Sequence, residues 1–334
     1  MKQQSLSRVS TCILALMLAV IAAPFTARAS HVQTDTSDRL AYSYPIGMPS
    51  EPLGVGFYVR HGYAVENTWY RPGYWHTGED WYALDGNSAG ANVYAAADGE
   101  VVFAGSDYPG RVVIVAHEDG LFSMYGHLDY ALNVTEGDRV ERGDLLGTVL
   151  ARSDDVPSHL HFEVRTFLTT PEVNGENPRY GFQCGRNCLP GPGYWPIDAP
   201  EHPSAMGWLN PTHVINSRTF DEATSEPLGE VVVAPEPLIT VAEVWSGPEG
   251  DDDARQTGAL TLSPGTTYPL LAINTGAEDS TETSAEAYDV WYEIRISDDR
   301  SGWVRTTVPW DFETGSDGRP SSVRFQLLLD VDAG

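Results

Sequence analysis

The chain has 334 residues, 41% of them hydrophobic and 10% aromatic, so it is long enough to bury a core and, at roughly 150 residues per domain, to form two domains. It holds 47 acidic against 20 basic residues and a formal net charge of −27, which argues against nucleic acid and anionic membranes as partners. Lys2 is the only lysine, so every other cation is an arginine.

Residues 1–29 read as an export signal. Lys2 and Arg8 form a basic start, Cys12 to Ala23 is the apolar run, and Ala27-Arg28-Ala29 fits a small-x-small cleavage site before Ser30. The apolar run is too short to span a bilayer comfortably, and no other segment reads as transmembrane, so no membrane insertion is expected after cleavage. Loss of Lys2, Arg8 and Arg28, with no acid in that segment, takes the formal charge from −27 to −30. The expected location is extracytoplasmic: secreted, or within the cell envelope.

Residues 30–74 are a lead-in, polar at first and then aromatic and glycine-rich. From about Trp75 to Phe167 short strand-like segments follow one another: NVYAAADGEVVFAG, RVVIVAHEDG, LFSMYGHL, GDRVERGDLLGTVL and HLHFEVRTF. Turn pairs such as Asp98-Gly99, Asp119-Gly120 and Gly143-Asp144 interrupt them, and no long amphipathic helix intervenes. The expected fold class is all-β, an antiparallel sheet or sandwich. Residues 168–206 are Pro/Gly-rich and read as either a functional loop or a packed irregular segment, one that could wall a groove, and Gly207 to Ile215 as the segment that closes a first domain of residues 75–216. Residues 217–237 read as a linker, and LITVAEV, TYPLLAI, DVWYEIRI, SGWVRTTV and VRFQLLLDV as a second β domain over 238–334. Cys184 and Cys188 in QCGRNC read as a small disulfide loop in an oxidising compartment, since no second Cys or His pair stands at zinc-finger spacing.

The chemistry lies in five polar residues: His76 and Asp80 in WHTGED, His127 in YGHL, and His159 and His161 in HLHFEV. On a strand, His159, His161 and Glu163 share one face while Leu160, Phe162 and Val164 face the core. The same alternation puts Tyr125 and His127 on one face, with Phe122, Met124 and Leu128 on the other. Gly78 between His76 and Asp80 gives the backbone freedom to curl both side chains toward one ion. Imidazole and carboxylate suit zinc, and a position left open on zinc is what makes a hydrolase. Glu79 is expected to point away and Glu163 to support a ligand. His117 reads as structural or as part of a rim, and His31, His61, His202 and His213 as ordinary histidines.

In order, HTGEDW, AAADGEVVFAG, VVIVAHEDGLFSMYGHL, VTEGDRVERGDLLGTV and HLHFEV resemble the lysostaphin-type (LytM-type) zinc endopeptidases, peptidase family M23, over about residues 75–167. The resemblance implies one zinc ion per chain bound by His76, Asp80 and His161. It implies that His127 and His159 flank the attacking water as the catalytic histidines. The chain departs from the pattern at Ser153 to Ser158, before the HxH pair, and at the long 168–206 segment. EVWSGPEG, TLSPGTTYPLLAI, VWYEIRI and SGWVR resemble a bacterial SH3-like β-barrel domain, a module expected to bind cell wall, with Trp245, Tyr292 and Trp303 as groove or core residues. The expected function is a secreted zinc endopeptidase that cuts peptidoglycan peptides. The alternatives are a non-catalytic cell-wall-binding or regulatory protein on the same fold, and a zinc protease of glycine-rich proteins.

Overall fold

The computed structural model describes residues 41–329 apart from 67, 69, 107–109, 153–155, 182–187, 218–226, 236–238, 249–252, 276–289, 315–319 and 326. The expected signal segment, the Asp154-Asp155 turn and Cys184 lie outside the described residues. Within them the protein is built of antiparallel β-structure, and helix is confined to a 3-10 turn, Pro203–Met206, and a short α-helix, Pro211–Ile215. No described helix is long and apolar enough to cross a membrane.

The main sheet runs in the order Thr307–Thr314, Pro320–Phe325, Phe57–His61, Glu79–Ala83, Leu160–Arg165, Phe122–Leu128, Arg111–Ala116, Gly99–Ser106 and Arg139–Val140. Its centre is Leu160–Arg165, flanked by Glu79–Ala83 and Phe122–Leu128, with Trp208–Leu209 pairing at its far end. Alternation explains this strand. Leu160, Phe162 and Val164 are fully buried in the core, each contributing about 1.5–3 kcal/mol. His161, Glu163 and Arg165 take the other face and are buried too. A three-stranded sheet of Ile46–Gly47, Asn92–Tyr94 and Leu145–Thr148 adds Ile46, Val93 and Leu146 to the same core.

The second face of the main sheet carries Val112, Ile114 and Met124, covered in part by Leu168 and Leu189 from the Pro/Gly-rich segment. That segment is therefore packed rather than loose. Val173 and Trp195 within it are fully buried, and its strand Tyr194–Pro196 pairs with Tyr74–His76. Cys188 is disulfide-bonded.

The C-terminal strands form a seven-stranded antiparallel sheet in the order Gln256–Thr261, Val241–Trp245, Arg300–Arg305, Val290–Ser297, Thr267–Thr275, Gly229–Val233 and Leu327–Leu329. Two features differ from the sequence expectation. Gly229–Val233, read as part of the linker, is a strand, because Val231 and Val233 alternate into the core. The hairpin Thr307–Thr314 with Pro320–Phe325 leaves the C-terminal sheet and extends the main one, with Val323 opposite Val59.

The closing segment is tied to the main sheet by a buried carboxylate. Glu79 accepts from the Thr212 amide at 3.0 Å, the Thr212 hydroxyl at 2.5 Å and the Trp81 indole at 3.1 Å. Glu79→Ala removes the acceptor of three donors at once. The expected loss is about 2–3 kcal/mol of stability, read as a lower denaturant midpoint with unchanged slope.

Candidate metal centre

Register brings the polar residues together. His161 on Leu160–Arg165 stands directly opposite Asp80 on Glu79–Ala83. Gly78 allows that approach, because a Cβ there would lie 2.4 Å from the Phe162 carbonyl oxygen. Its role is close packing of strands rather than the backbone curl read from sequence. His76 ends the strand Tyr74–His76, opposite Tyr194. On the other side of His161 stands Gly126.

Three candidate ligand atoms converge. His76 Nε2 lies 3.0 Å from His161 Nδ1, Asp80 Oδ1 lies 3.0 Å from His161 Nδ1, and His76 Nε2 lies 3.3 Å from Asp80 Oδ1. Ligands about 2.0–2.1 Å from a tetrahedral ion sit roughly 3.3–3.4 Å apart, so the triangle fits a zinc-sized cation. The outer nitrogens fix the tautomers. His76 Nδ1 faces the Gly62 carbonyl at 3.3 Å, and His161 Nε2 faces Glu163 Oε1 at 3.1 Å. With both outer nitrogens donating, both inner nitrogens present lone pairs beside a carboxylate oxygen. Only a proton or a metal cation stabilises that arrangement.

The supports behind the ligands are buried. Glu163 also accepts from the Thr77 hydroxyl at 2.6 Å and the Trp208 indole at 3.1 Å, and Arg165 Nη1 lies 3.5 Å from it. Arg165, wholly buried, donates to the carbonyls of Pro190 at 2.9 Å and Leu189 at 2.7 Å. Burial would raise the Glu163 pKa, but His161, Arg165 and Thr77 outweigh it and hold it below the usual carboxylate value. Asp80 follows the same pattern more strongly: burial opposes its charge, and His76, His159, His161 and His61 together keep it well below the usual value.

His159 and His127 stand beside the triangle. His159 Nδ1 faces the Pro157 carbonyl at 2.8 Å, which turns Nε2 toward Asp80 Oδ1 at 3.7 Å. Burial pushes its pKa down to about 4 against the pull of Asp80. Its ring stacks on Tyr82, centroids 4.8 Å apart, and meets His127 edge-on at 4.6 Å. His127 adopts φ 62°, a left-handed conformation costing about 1–2 kcal/mol. This breaks the alternation read from sequence. Tyr125 turns into the core, where its hydroxyl accepts from the Ala96 amide at 2.7 Å, while Met124, Gly126 and His127 line the cavity.

The cavity over the triangle measures about 240 Å³. Tyr70, Arg71 and Tyr74 line one side, Arg152 and Val156 another, and Pro190 to Tyr194 form a wall. His61 lines it as well, only 3% exposed, with Nδ1 3.3 Å from Asp80 Oδ2. No sequence motif marks it. His117 is structural, its Nδ1 against the Asp98 carbonyl and its Nε2 against the Ser123 hydroxyl, both at 2.8 Å. Of the aromatic residues singled out in the C-terminal sheet, Tyr292 is buried and donates to Asn216 Oδ1, while Trp245 and Trp303 are half-buried.

Comparison with known proteins gives this geometry a family. The model of peptidase family M23 matches residues 75–176, which include all five sequence-predicted residues. Lipoprotein NlpD of Yersinia enterocolitica is 35% identical over 80 residues, which are 23% of this chain and 80% of that protein. The chain belongs to peptidase family M23. The cell division protein DipM of Caulobacter vibrioides is 41% identical over 78 residues, 23% of this chain and 13% of its own length. The murein hydrolase activator NlpD of Salmonella dublin is 36% identical over 80 residues, 23% of this chain and 21% of its own. The match thus spans about 13% and 21% of these two relatives. The family match ends at residue 176, so residues 229–329 lie outside it.

At this candidate centre a metal ion would compete with a proton for His161. Burial would lower its pKa, but hydrogen bonds to Asp80 and Glu163 lift it to about 9 in the metal-free protein. Coordination requires the neutral ring. Below pH 9 the proton must be displaced, so affinity rises with pH and levels off as the raised pKa is passed. The expected result is about a tenfold gain in apparent zinc affinity per pH unit from 6.5 to 8.5, with about one proton released. Calorimetric titration in buffers of different ionisation enthalpy measures both quantities.

Proposed function

We propose that the protein is a zinc-dependent endopeptidase of the cell envelope that hydrolyses peptide bonds in peptidoglycan. The observation that carries this reading is the convergence of His76 Nε2, Asp80 Oδ1 and His161 Nδ1, with edges of 3.0–3.3 Å, at the floor of a cavity that His159 and His127 also line. Zinc held there supplies Lewis-acid polarisation of a carbonyl and acidification of a water. His159, neutral above about pH 4, offers its Nε2 lone pair to the proton of the attacking water and passes that proton to the departing amine. His127, on the same wall, donates a hydrogen bond to the oxyanion that develops on the scissile carbonyl. The Pro190 to Tyr194 wall and Tyr82 exclude bulk water from one side.

The charge of the cavity supports a peptide bearing carboxylates over a neutral glycine-rich one. In a chain of net charge −27, Asp80 is the sole carboxylate among the described residues that line the cavity, and Arg71 and Arg152 both line it. Arg71 lies over the Tyr194 ring at 5.8 Å, which holds its guanidinium at the rim. A peptidase role for residues 75–216 and an SH3-like, wall-binding role for the C-terminal sheet belong to the same proposal, as does export by residues 1–29.

A second reading, a non-catalytic regulator of other wall hydrolases, is favoured by the name of one relative, a murein hydrolase activator. The complete set of His76, Asp80, His127, His159 and His161 in this chain favours catalysis. Digestion of purified peptidoglycan by the mature chain, with chelated protein and His161→Ala beside it, separates the two. New amine-bearing fragments from the intact protein alone are the expected outcome, with His159→Ala slower by about 10²–10⁴-fold. No fragments at full zinc loading, with stimulation of a separate hydrolase, would establish the regulator instead.

A further inference from the structure

His61 stands outside the family match and outside every motif in the sequence, yet it meets the one carboxylate of the metal centre. We propose that His61 is a positioning residue: it holds Asp80 Oδ2 so that only Oδ1 is presented to the metal, and it thereby sets the metal affinity of the site. The proposal rests on the zinc-centre reading above and adds a fifth histidine with a distinct task.

A register shift delivers this contact. Phe57 pairs with Ala83 and Val59 with Trp81, so regular alternation would set His61 opposite Glu79, on the core face with Trp81. A bulge between Val59 and His61 moves it opposite Asp80 instead. Arg60, the extra residue, lies over the Tyr82 ring at 5.2 Å. Val323 of the added hairpin pairs with Val59 just before the bulge. One residue of slip thus exchanges a structural carboxylate for the metal-centre carboxylate.

The division of labour on Asp80 follows from the distances. Oδ1 faces His161 Nδ1 at 3.0 Å, His76 Nε2 at 3.3 Å and His159 Nε2 at 3.7 Å, while Oδ2 faces His61 Nδ1 at 3.3 Å. A carboxylate free to rotate presents either oxygen or both, and loses geometric definition. With Nδ1–H donated to Oδ2, the His61 ring fixes the carboxylate plane. The ring is itself held edge-on to His76 and Tyr82, centroids 6.4 and 6.5 Å away.

The test measures metal binding rather than turnover. Zinc affinity is read by competition with a chromophoric chelator, and ligand geometry by the visible spectrum of the cobalt-substituted protein, for wild type, His61→Ala and His61→Gln. His61→Ala should bind zinc about 10–100-fold more weakly and alter the cobalt bands, whereas His61→Gln, which keeps a donor, should recover to within a few-fold. Thermal unfolding of the metal-free variants separates this effect from loss of fold, and if His61→Ala fails to fold, His61→Gln against His61→Leu decides. Unchanged affinity and spectrum in the variants lacking a donor would overturn the proposal. So would a spectrum showing one nitrogen ligand fewer, which would make His61 a ligand itself. A wild-type protein that binds no zinc would sink the metal-centre reading and this proposal with it, and wild-type binding with indifferent variants would sink this proposal alone.

Discussion

The Asp80 carboxylate is the constraint around which the main sheet is arranged. It is 3% exposed, and a buried carboxylate without partners costs several kcal/mol. Four histidines from three strands and their ends meet that cost: His61, His76, His159 and His161. Each is positioned by a different backbone device. A bulge aims His61, the end of a two-stranded ribbon places His76, a proline carbonyl turns His159, and direct cross-strand register sets His161. In the metal-free state His161, its pKa lifted to about 9, carries the proton that faces the carboxylate. A divalent ion can replace that proton without moving the strands, because the candidate ligand atoms already stand at coordinating separations.

The main-sheet fold was legible because its signals are local. Val-rich segments broken by Asp-Gly pairs give strands and turns whatever surrounds them, and the alternation of Leu160, Phe162 and Val164 against His161 and Glu163 follows from the strand period alone. The site was legible to the same depth: His76, Asp80, His159 and His161 meet as spacing and resemblance implied. What escaped depends on departures from regular structure. The positive φ at His127 rotates it away from the face of Tyr125, and nothing in YGHL signals that torsion. The bulge at Arg60 is equally silent, so His61 read as ordinary. Gly78 was correctly singled out but for the wrong cause, since the approach of Phe162 is a tertiary fact that only pairing reveals.

The C-terminal region shows the complementary limit. Val231 and Val233 lie in a short β-branched run beside acidic and proline-bearing chain, and the surrounding composition outweighed them as a strand signal. The destination of a hairpin cannot be read from its own residues either. Thr307–Thr314 and Pro320–Phe325 have an ordinary strand composition, and what fixes their sheet is the open edge of Phe57–His61. An exposed edge strand invites pairing by another chain, and covering it with a hairpin of the same chain removes that hazard. The covered strand is also the one that carries His61.

The Pro/Gly-rich segment then becomes part of the candidate metal centre rather than an insertion beside it. Arg165 binds the carbonyls of Leu189 and Pro190 and lies against Glu163, which binds His161. Tyr194 pairs through its backbone with His76, and its ring packs on the His76 ring at 5.5 Å. The wall is therefore joined to two of the three candidate ligands, once through a buried ionic network and once through a strand pair. A wall held only by its own loop would adjust to substrate independently of the metal. Here a shift of the Leu189 to Tyr194 segment must strain either the Arg165–Glu163 contact or the Tyr194–His76 pairing. Groove shape and ligand geometry are consequently set by the same interactions, so the fold favours a preformed cleft over one assembled when substrate arrives.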